Sequence, residues 1–323
     1  MIKKVAILTS GGDAPGMNNA VIAIVKHARA NGIVPYLVYE GYKGLHKGVI
    51  KEATKINLNH YISKGGTFIY SARFPEFKDP SVREKAKEQM TKLGIDALVV
   101  IGGDGSYKGA QLLHEIGVKT ITLPGTIDND ITSSEFTIGY DTALNTIVNS
   151  VDKVRDTMES HNRAAIIEVM GHGCGHLAIY SALATGAEVV VTNEYEINAQ
   201  EIGRIVKKQV FDLKKRSVII IVSEFIFKDL EETAKIVEEF SGVTTRAMSL
   251  AHTQRGGVPT AQERVHASLM GIKAVELLAE GKSGLAVGIN KGKVDATPIL
   301  EALNQLRGNR RNFAIKVNKL NQS

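Results

Sequence analysis

Short runs of valine, isoleucine and leucine alternate with helical patterns along almost the whole chain, and this alternation restricts the fold more than any other feature. Runs that are apolar at every position are typical of strands buried on both faces of a parallel sheet. The sequence therefore predicts an α/β fold with mainly parallel sheets. The predicted strands are residues 5–9, 34–39, 97–101, 120–123, 164–170, 189–192, 218–223, 245–250 and 285–289. The predicted helices are residues 17–30, 81–93, 142–159, 199–213, 230–240 and 261–280.

The chemically unusual residues follow these predicted strands. In parallel α/β sheets ligands bind beyond the carboxyl ends of the strands, so these loops are candidate sites. The loops in question are residues 11–13, 102–106, 125–130, 171–175 and Glu224.

Composition excludes several classes of function. The chain has 323 residues, 43% of them hydrophobic, which suffices for one large or two medium domains. Its 40 Lys and Arg and 34 Asp and Glu give a net charge of +6, but the basic residues are spread along the chain. The sequence has neither zinc-finger spacing nor an aromatic platform for single-stranded nucleic acid. Binding of phosphorylated metabolites therefore explains the positive charge better than binding of nucleic acid does. A single cysteine, no signal region and short apolar runs predict a cytoplasmic protein without nucleic-acid or membrane partners.

Residues 102–106 read Gly-Gly-Asp-Gly-Ser and follow the predicted strand 97–101. The glycines would let backbone N–H groups approach phosphate closely, and the carboxylate of Asp104 can hold Mg²⁺. Alternatively, Asp104 is the N-cap of a helix over residues 106–116. Glycine on both sides of Asp104 favours the ligand site, because an N-cap residue alone does not require neighbours without side chains.

Residues 124–130 read Pro-Gly-Thr-Ile-Asp-Asn-Asp and follow the predicted strand 120–123. A carboxylate beyond a strand end, as at Asp128 or Asp130, can accept a proton from a substrate hydroxyl. The alternative is an Asx-type turn with solvated carboxylates. Phosphates on one loop and a proton acceptor on the next predict phosphoryl transfer to an alcohol.

Three further segments are candidates for phosphate binding. Residues 10–16, Ser-Gly-Gly-Asp-Ala-Pro-Gly, are either a phosphate loop or a tight turn that binds nothing, and they match neither nucleotide-binding consensus. Arg73 lies in a loop rich in turn residues and either bridges phosphate oxygens or is an ordinary surface arginine. Residues 252–257 contain His, Arg and two glycines and offer a cationic corner or a simple turn.

His172, Cys174 and His176 alternate along the chain, as the ligands of a metal ion can. Zinc usually requires four ligands and supporting groups, and no partner cluster accompanies these three. The sequence therefore disfavours a metal here and leaves the role of Cys174 and His176 open.

Several segments together carry a resemblance that extends from Leu8 to about Leu303. They read LTSGGDAPGMN, GGTFIYSARFPEF, GIDALVVIGGDGSYKGA, LPGTIDNDI, RDT…SHNR, EVMG and TRAMSLAHTQRGG, with the region of Glu224 between the last two. In this order they are highly specific, and the chain resembles the family of bacterial ATP-dependent 6-phosphofructokinases. The resemblance implies a homotetrameric, allosteric, magnesium-dependent kinase that makes fructose 1,6-bisphosphate and ADP in glycolysis.

The resemblance also implies two doubly wound, Rossmann-like domains with the active site in the cleft between them. The larger, ATP-binding domain would comprise residues 1–138 and 252–303. The smaller, sugar-phosphate-binding domain would comprise residues 139–251 and 304–323.

Site residues follow from the same resemblance. Asp128 would accept the proton of the 1-hydroxyl of fructose 6-phosphate, Thr126 and Asp130 would shape its loop, and Arg73 would offset charge on the moving phosphoryl group. The residues implied for ATP are Gly12, Arg73, Phe74, Gly103, Asp104, Gly105 and Ser106, with Asp104 holding Mg²⁺. Those implied for the sugar phosphate are Thr126, Ile127, Asp128, Met170, Gly171, His172, Glu224, His252 and Arg255, with Arg163 and Arg246 from a neighbouring subunit.

Two glycines bear on the phosphoryl donor. Members of the family that use pyrophosphate typically have Asp at the position of Gly105 and Lys at that of Gly125. Glycine at both positions favours ATP, with a pyrophosphate-dependent enzyme as the alternative. A catalytically silent nucleotide-binding regulator is a second alternative, although Asp128 and Arg73 are both present.

The chain departs from the family pattern in two places. His172 replaces a usual arginine in the sugar site, so we expect altered substrate affinity with the chemistry intact. In the region resembling the site for ADP and phosphoenolpyruvate, Arg155, Glu188 and Lys215 fit the pattern. Ile22 and Leu213 replace cations there, and Lys26 and Lys55 replace arginines, so we expect reduced or altered regulation.

Overall fold

The computed structural model describes residues 2–306 and 308–323, and these divide into two compact units. The first unit comprises residues 2–127, 131–142 and 255–306, and the second comprises residues 128–130, 143–254 and 308–323. The division differs by a few residues from the boundaries expected after residues 138, 251 and 303. The short segment 128–130 groups with the second unit, although its neighbours on both sides belong to the first.

Strands and helices alternate along the described chain. The strands are β1 (Lys4–Ser10), β2 (Val34–Val38), β3 (Ile50–Glu52), β4 (Ala97–Gly102), β5 (Lys119–Thr126), β6 (Ile138–Gly139), β7 (Ala164–Val169), β8 (Val189–Val191), β9 (Val218–Ser223), β10 (Thr245–Ser249), β11 (Leu285–Asn290) and β12 (Lys293–Pro298). The α-helices are α1 (Met17–Ala30), α2 (Gly41–Lys47), α3 (Pro80–Leu93), α4 (Asp104–Glu115), α5 (Tyr140–His161), α6 (His176–Thr185), α7 (Ala199–Lys207), α8 (Leu230–Ser241), α9 (Ala261–Ala279), α10 (Ile299–Asn304) and α11 (Arg311–Asn321).

The first unit is built on a sheet with the strand order β12-β11-β5-β4-β1-β2-β3, in which β6 also pairs with β5. The central strands are parallel, and β3 and β12 are antiparallel at the two edges. The pairing register aligns Ser10 with Gly102 and Gly102 with Pro124. The loops that follow β1 and β4 therefore begin at the same level of the sheet.

The second unit contains a smaller sheet with the order β10-β7-β9-β8, and its strand pairs are all parallel. Its middle strands are buried at almost every position, and β9 (VIIIVS) contains no exposed residue. Helices α7 and α8 pack on one face through Ile202, Val206 and Val237, which are fully buried. Both sheets confirm the predicted α/β fold class.

Some predicted elements differ from the observed ones. The helix predicted over residues 199–213 is α7 followed by a π-helical stretch, Lys208–Asp212. Helix α6 (HLAIYSALAT) was not predicted, because it is apolar on nearly every side and lacks the alternation of an amphipathic helix. No helix among residues 2–306 and 308–323 has the length and hydropathy needed to cross a membrane.

A buried carboxylate connects three segments of the first unit. Glu263, in the first turn of α9, is only 2% exposed. Its Oε1 accepts a hydrogen bond from the backbone N–H of Gly139 (2.8 Å), and its Oε2 accepts from the N–H and hydroxyl of Thr142 (both 3.2 Å). Burial raises the pKa of Glu263 to about 7, although these hydrogen bonds oppose the rise. The negative charge of Asp141 contributes to the rise.

This raised pKa predicts a specific pH dependence of stability. Between the ordinary pKa of 4.5 and about 7, the folded chain binds more protons at Glu263 than the unfolded chain does. The contribution of Glu263 is therefore fully present below pH 4.5 and is lost as the pH rises through 7. The loss amounts to roughly 3 kcal/mol of unfolding free energy. Because Glu263→Gln is neutral at every pH, we expect it to remove this loss in urea unfolding at pH 5 and pH 8.

The exposed Glu88, changed to Gln, serves as the control and should keep the wild-type pH dependence. If Glu263→Gln also kept it, burial would not be the dominant influence on the Glu263 carboxyl.

Candidate functional site

The loop between β4 and α4 presents backbone to open space. A Cβ built on Gly103 or on Gly105 would have no other atom within 4 Å, apart from local chain neighbours. The N-cap of α4 is Gly103, and no side chain caps the helix, so its first N–H groups are available to an anion. The buried hydroxyl of Tyr42 donates to the Ser106 carbonyl (2.6 Å) and so stabilises the first turn of α4.

Asp104 is the first residue of α4, so the alternative in which Asp104 is the N-cap of a helix over residues 106–116 does not hold. The helix starts two residues earlier because Gly103 adopts the extended backbone of the cap position. The Asp104 carboxylate instead pairs with Lys108 one turn further on (2.7 Å), and its side chain remains 45% exposed. The Asp104 carboxylate is therefore accessible to a cation, including one that accompanies a bound phosphate group.

A cationic group lies against the loop between β1 and α1. A Cβ on Gly12 would come within 2.5 Å of Nη1 of Arg255, and the same Nη1 donates to the Asp13 carbonyl (3.2 Å). A side chain at residue 12 would therefore have to displace this guanidinium group. Arg255, which the sequence grouped with the sugar-phosphate residues, lies beside Gly12 of the predicted nucleotide loop.

The loop that carries Arg73 and Phe74 is attached to β1 and α1 by side-chain hydrogen bonds. The Asn18 amide donates to the Lys64 carbonyl (3.0 Å) and accepts from the Phe68 N–H (2.9 Å). The Thr9 hydroxyl donates to the Tyr70 carbonyl (2.9 Å). The loop is therefore fixed at the carboxyl end of β1, with the Arg73 side chain exposed and the Phe74 ring packed 5.7 Å from that of His46.

Strand β5 extends through Gly125 and Thr126, three residues beyond its predicted end. A Cβ on Gly125 would lie 2.8 Å from the Met17 methyl carbon and 3.0 Å from Cγ2 of Ile101. Thr126 is held by the Thr137 hydroxyl, which donates to its carbonyl (2.6 Å). A side chain at Gly125 would therefore have to displace the Met17 methyl group and press against Ile101, whereas a side chain at Gly105 would meet open space.

The acidic segment after Ile127 is buried. Asp128 and Asn129 are each less than a tenth exposed. Asn129 has a φ of 50°, in the left-handed region, and its amide Nδ2 lies 3.2 Å from Nδ1 of His176. Sequence reasoning assigned no role to Asn129 or to this contact, because the two residues are 47 positions apart.

The second unit contains a cavity of about 560 Å³ at the carboxyl ends of β7 and β9. Three of the predicted sugar-phosphate residues line it: Met170, Glu224 and His252. Glu224 Oε1 accepts from the backbone N–H groups of Gly171 (3.2 Å) and His172 (2.8 Å). This carboxylate therefore shapes the turn that carries His172.

Arg163 and Arg246 lie at the amino-terminal ends of the strands of the same sheet, opposite the ends that line the cavity. Arg163 directly precedes β7, and Arg246 is the second residue of β10, which runs parallel to β7. A strand of six residues is about 20 Å long, so both arginines are separated by roughly the length of a strand from Met170 and Glu224 at the carboxyl ends. The structure does not bring these two predicted residues together with the cavity of their own chain.

The three cysteine and histidine candidates do not converge. The Cys174 thiol is buried, and burial raises its pKa, while a guanidinium nitrogen of Arg310 lies 4.0 Å from its sulfur. The His176 ring stacks on Tyr180 (5.3 Å), and His172 is exposed with a φ of 48°. Within the described residues, no group of three or more His, Cys, Asp or Glu is arranged to hold a metal ion.

The residues resembling an effector site belong to two separate groups. In the second unit, Glu188 Oε1 pairs with Arg155 (3.5 Å) and Lys215 (3.4 Å), and Oε2 accepts from the Ile219 N–H (2.8 Å). In the first unit, Lys26 and Lys55 line a cavity of about 260 Å³. Ile22 is buried on α1, and Leu213 is exposed.

Comparison with known proteins gives a consistent result. The family described as Phosphofructokinase matches residues 4–278. The chain is 62% identical to an ATP-dependent 6-phosphofructokinase of Mycoplasmopsis pulmonis over 303 residues, covering 94% of this chain and 93% of that protein. It is 58% identical to one of Mycoplasma mobile over the full length of both. A solved phosphofructokinase from Saccharomyces cerevisiae superposes with a TM-score of 0.87 at 32% identity, covering 99% of this chain and 47% of the yeast chain.

The packing around the β4 loop predicts opposite outcomes at adjacent glycines. A Cβ on Gly102 would lie 2.4 Å from Oγ of Ser106 and 2.5 Å from the Ser10 carbonyl oxygen, and the backbone cannot give way. Gly102→Ala should therefore lower the unfolding free energy by about 1–3 kcal/mol, as overpacking does. Gly103→Ala, which meets open space, is the matched control and should stay within about 0.5 kcal/mol. Urea unfolding of both variants measures the difference, and equal stabilities would contradict the described packing.

Proposed function

Since this chain belongs to the phosphofructokinase family, we propose that it transfers the γ-phosphoryl group of ATP to the 1-hydroxyl of D-fructose 6-phosphate. The products are fructose 1,6-bisphosphate and ADP, and the reaction is the committed step of glycolysis. One observation carries the proposal beyond family membership: the pairing of Gly102 with Pro124 puts the predicted phosphate loop and the acidic loop on neighbouring strands. Glycolytic substrates are cytoplasmic, and we propose the same location for the enzyme.

The first unit would bind the nucleotide. The free N–H groups at the start of α4 suit phosphate oxygens, and Arg73 is exposed on a loop fixed to β1. Gly12, Phe74, Gly103, Gly105 and Ser106 would complete this surface. Asp104 suits Mg²⁺, because Mg²⁺ in such sites takes only one or two carboxylates and completes its shell with water and phosphate. When bound, Mg²⁺ would neutralise charge on the phosphates of ATP.

Asp128 would act as the general base. Its position just beyond β5 suits a carboxylate that accepts the proton of the sugar 1-hydroxyl as the phosphoryl group moves in line. Thr126 and Ile127 would border the sugar, and Asp130 would shape the loop. Burial of this segment limits water, which would otherwise compete with the hydroxyl as acceptor.

The second unit would bind the sugar phosphate in the cavity at the carboxyl ends of β7 and β9. Met170, Gly171, His172, Glu224 and His252 would surround it. Arg255, which lies beside Gly12 in the first unit, would supply a positive charge for a phosphate group. His172 would hold phosphate less firmly than a guanidinium does.

Arg163 and Arg246 would act on the site of a neighbouring chain. Both lie at the amino-terminal ends of the strands, away from the cavity of their own chain, and this supports a role in the active site of a neighbouring chain. We therefore propose a homotetramer in which each active site takes residues from two chains.

The first experiment compares phosphoryl donors. The purified protein is incubated with fructose 6-phosphate and Mg²⁺, and fructose 1,6-bisphosphate is followed with ATP or with pyrophosphate. We expect turnover with ATP alone, because a side chain at Gly105 is absent and the space beside it is open. Turnover with pyrophosphate alone would overturn the donor assignment but leave the family intact. ATP binding without turnover, seen by titration calorimetry, would favour the silent nucleotide-binding regulator.

Replacing the proposed base tests the chemistry. Asp128→Asn keeps the size of the side chain but cannot accept the proton, so we expect kcat to fall by about 10²–10⁴-fold. The KM for ATP should change little, because Asp128 does not belong to the nucleotide loop. Asp130→Asn is the matched control two residues away and should lower kcat far less. Equal losses in both variants would show that the loop conformation, rather than a base at Asp128, had been disturbed.

We also propose reduced or altered regulation by ADP and phosphoenolpyruvate. Lys26 and Lys55 supply single ammonium groups to a cavity where arginine would supply bidentate guanidinium groups. In the second unit, Arg155 and Lys215 are already paired with the buried Glu188. An anionic effector would therefore find fewer available cations.

Saturation curves for fructose 6-phosphate, measured with and without each effector, test this. We expect the half-saturating concentration to shift by less than about twofold in the wild type, since weak surface ion pairs carry little free energy. The double variant Lys26→Arg/Lys55→Arg should enlarge the shift. A large shift in the wild type would contradict reduced regulation.

A further inference from the structure

Asn129 stands between the two acids of the catalytic loop in a conformation that needs support. Its φ of 50° lies in the left-handed region, which asparagine enters more readily than most residues but still at some cost. The residue is 6% exposed, so its amide must be satisfied inside the protein. Nδ2 of Asn129 donates to Nδ1 of His176 across 3.2 Å.

His176 is itself held firmly. It is the first residue of α6, and its ring stacks on Tyr180 with a centroid distance of 5.3 Å and an interplanar angle of 19°. Tyr180 in turn packs against Phe313 of α11 (5.6 Å). Two helices of the second unit therefore fix the position of the imidazole ring.

The imidazole is suited to accept this hydrogen bond. Burial, and to a smaller extent the positive charge of Arg310, lower the pKa of His176 to about 3. The ring is therefore neutral at physiological pH, and its lone pair on Nδ1 is available to the Asn129 amide, with the ring proton on Nε2. A protonated imidazole would present N–H groups at both nitrogens and could not accept.

We propose that His176 is a positioning residue for the phosphoryl-transfer reaction, which fixes Asn129 and thereby the orientation of the adjacent Asp128 carboxylate. The inference rests on the proposed function of Asp128. Asp128 and Asn129 share a peptide unit, so rotation at Asn129 re-aims the base, and small displacements of a catalytic group carry large rate penalties. His176 does not touch the substrates in this role.

Two substitutions of His176 separate the hydrogen bond from packing. His176→Phe keeps an aromatic ring against Tyr180 but offers no acceptor, whereas His176→Gln offers an amide oxygen. We expect His176→Phe to lower kcat about 10-fold or more with little change in the KM for ATP, and His176→Gln to recover most of the rate. His161→Phe, at an exposed position on α5, is the control and should keep the wild-type kcat.

A double-mutant cycle with Asn129→Ala approaches the same contact from its other side. If the two residues act through one hydrogen bond, the double variant His176→Phe/Asn129→Ala should be no slower than the slower single variant. Thermal unfolding of every variant identifies any loss of rate that comes from misfolding. If His176→Phe is misfolded, the rate of His176→Gln and the double-mutant cycle test whether the hydrogen bond to Asn129 supports catalysis.

Three results would overturn the proposal: a kcat for His176→Phe within twofold of wild type, a Gln variant as slow as the Phe variant, or rate losses that multiply in the double variant. A wild-type protein without turnover of fructose 6-phosphate and ATP would instead overturn the proposed function, and the positioning role with it. An active wild type with an unaffected His176→Phe variant overturns the positioning role alone.

Discussion

The strand register at the centre of the first sheet is the constraint on which the rest of the site depends. Ser10, Gly102 and Pro124 are aligned across β1, β4 and β5, and these three strands are buried at nearly every position. A one-residue slip would move every side chain of a strand to the other face, and Gly102, pressed against the Ser10 carbonyl, admits no other residue. The loops that follow inherit their positions from this alignment.

Two buried carboxylates show how the chain satisfies charge by different means. Glu188 is surrounded by the cations Arg155 and Lys215 and by a backbone N–H, so its ionised form is compensated. Glu263 has only the N–H groups of Gly139 and Thr142 and the hydroxyl of Thr142, and burial there favours the protonated form. Both connect distant segments, and the raised pKa of Glu263, about 7, lets its charge change near neutral pH.

The sequence predicts the strands and the segments that carry chemistry, because buried parallel strands and glycine-rich loops have local signatures. Helix α6 cannot be predicted from the sequence pattern, because a helix that is apolar on nearly every side has no amphipathic period. The contact of its His176 ring with Asn129 is therefore not predictable either. The start of α4 at Asp104 is also not evident from the sequence, because flanking glycines mark a turn but not the residue at which the helix begins. The place of Arg255 beside Gly12 depends on segments more than 240 residues apart, which no local pattern encodes.

The two glycines linked to the phosphoryl donor do not carry equal weight. Gly125 is enclosed by the Met17 methyl group and the Ile101 side chain, so the packing itself favours glycine there whatever the donor is. Gly105 is different, because a side chain there would meet only open space at the start of α4 and its absence has no packing explanation. In the proposed nucleotide site, this open space would leave room for the nucleoside diphosphate part of ATP. The structural argument for the proposed use of ATP rather than pyrophosphate therefore rests on Gly105, because a lysine at position 125 would also have to displace the Met17 methyl group.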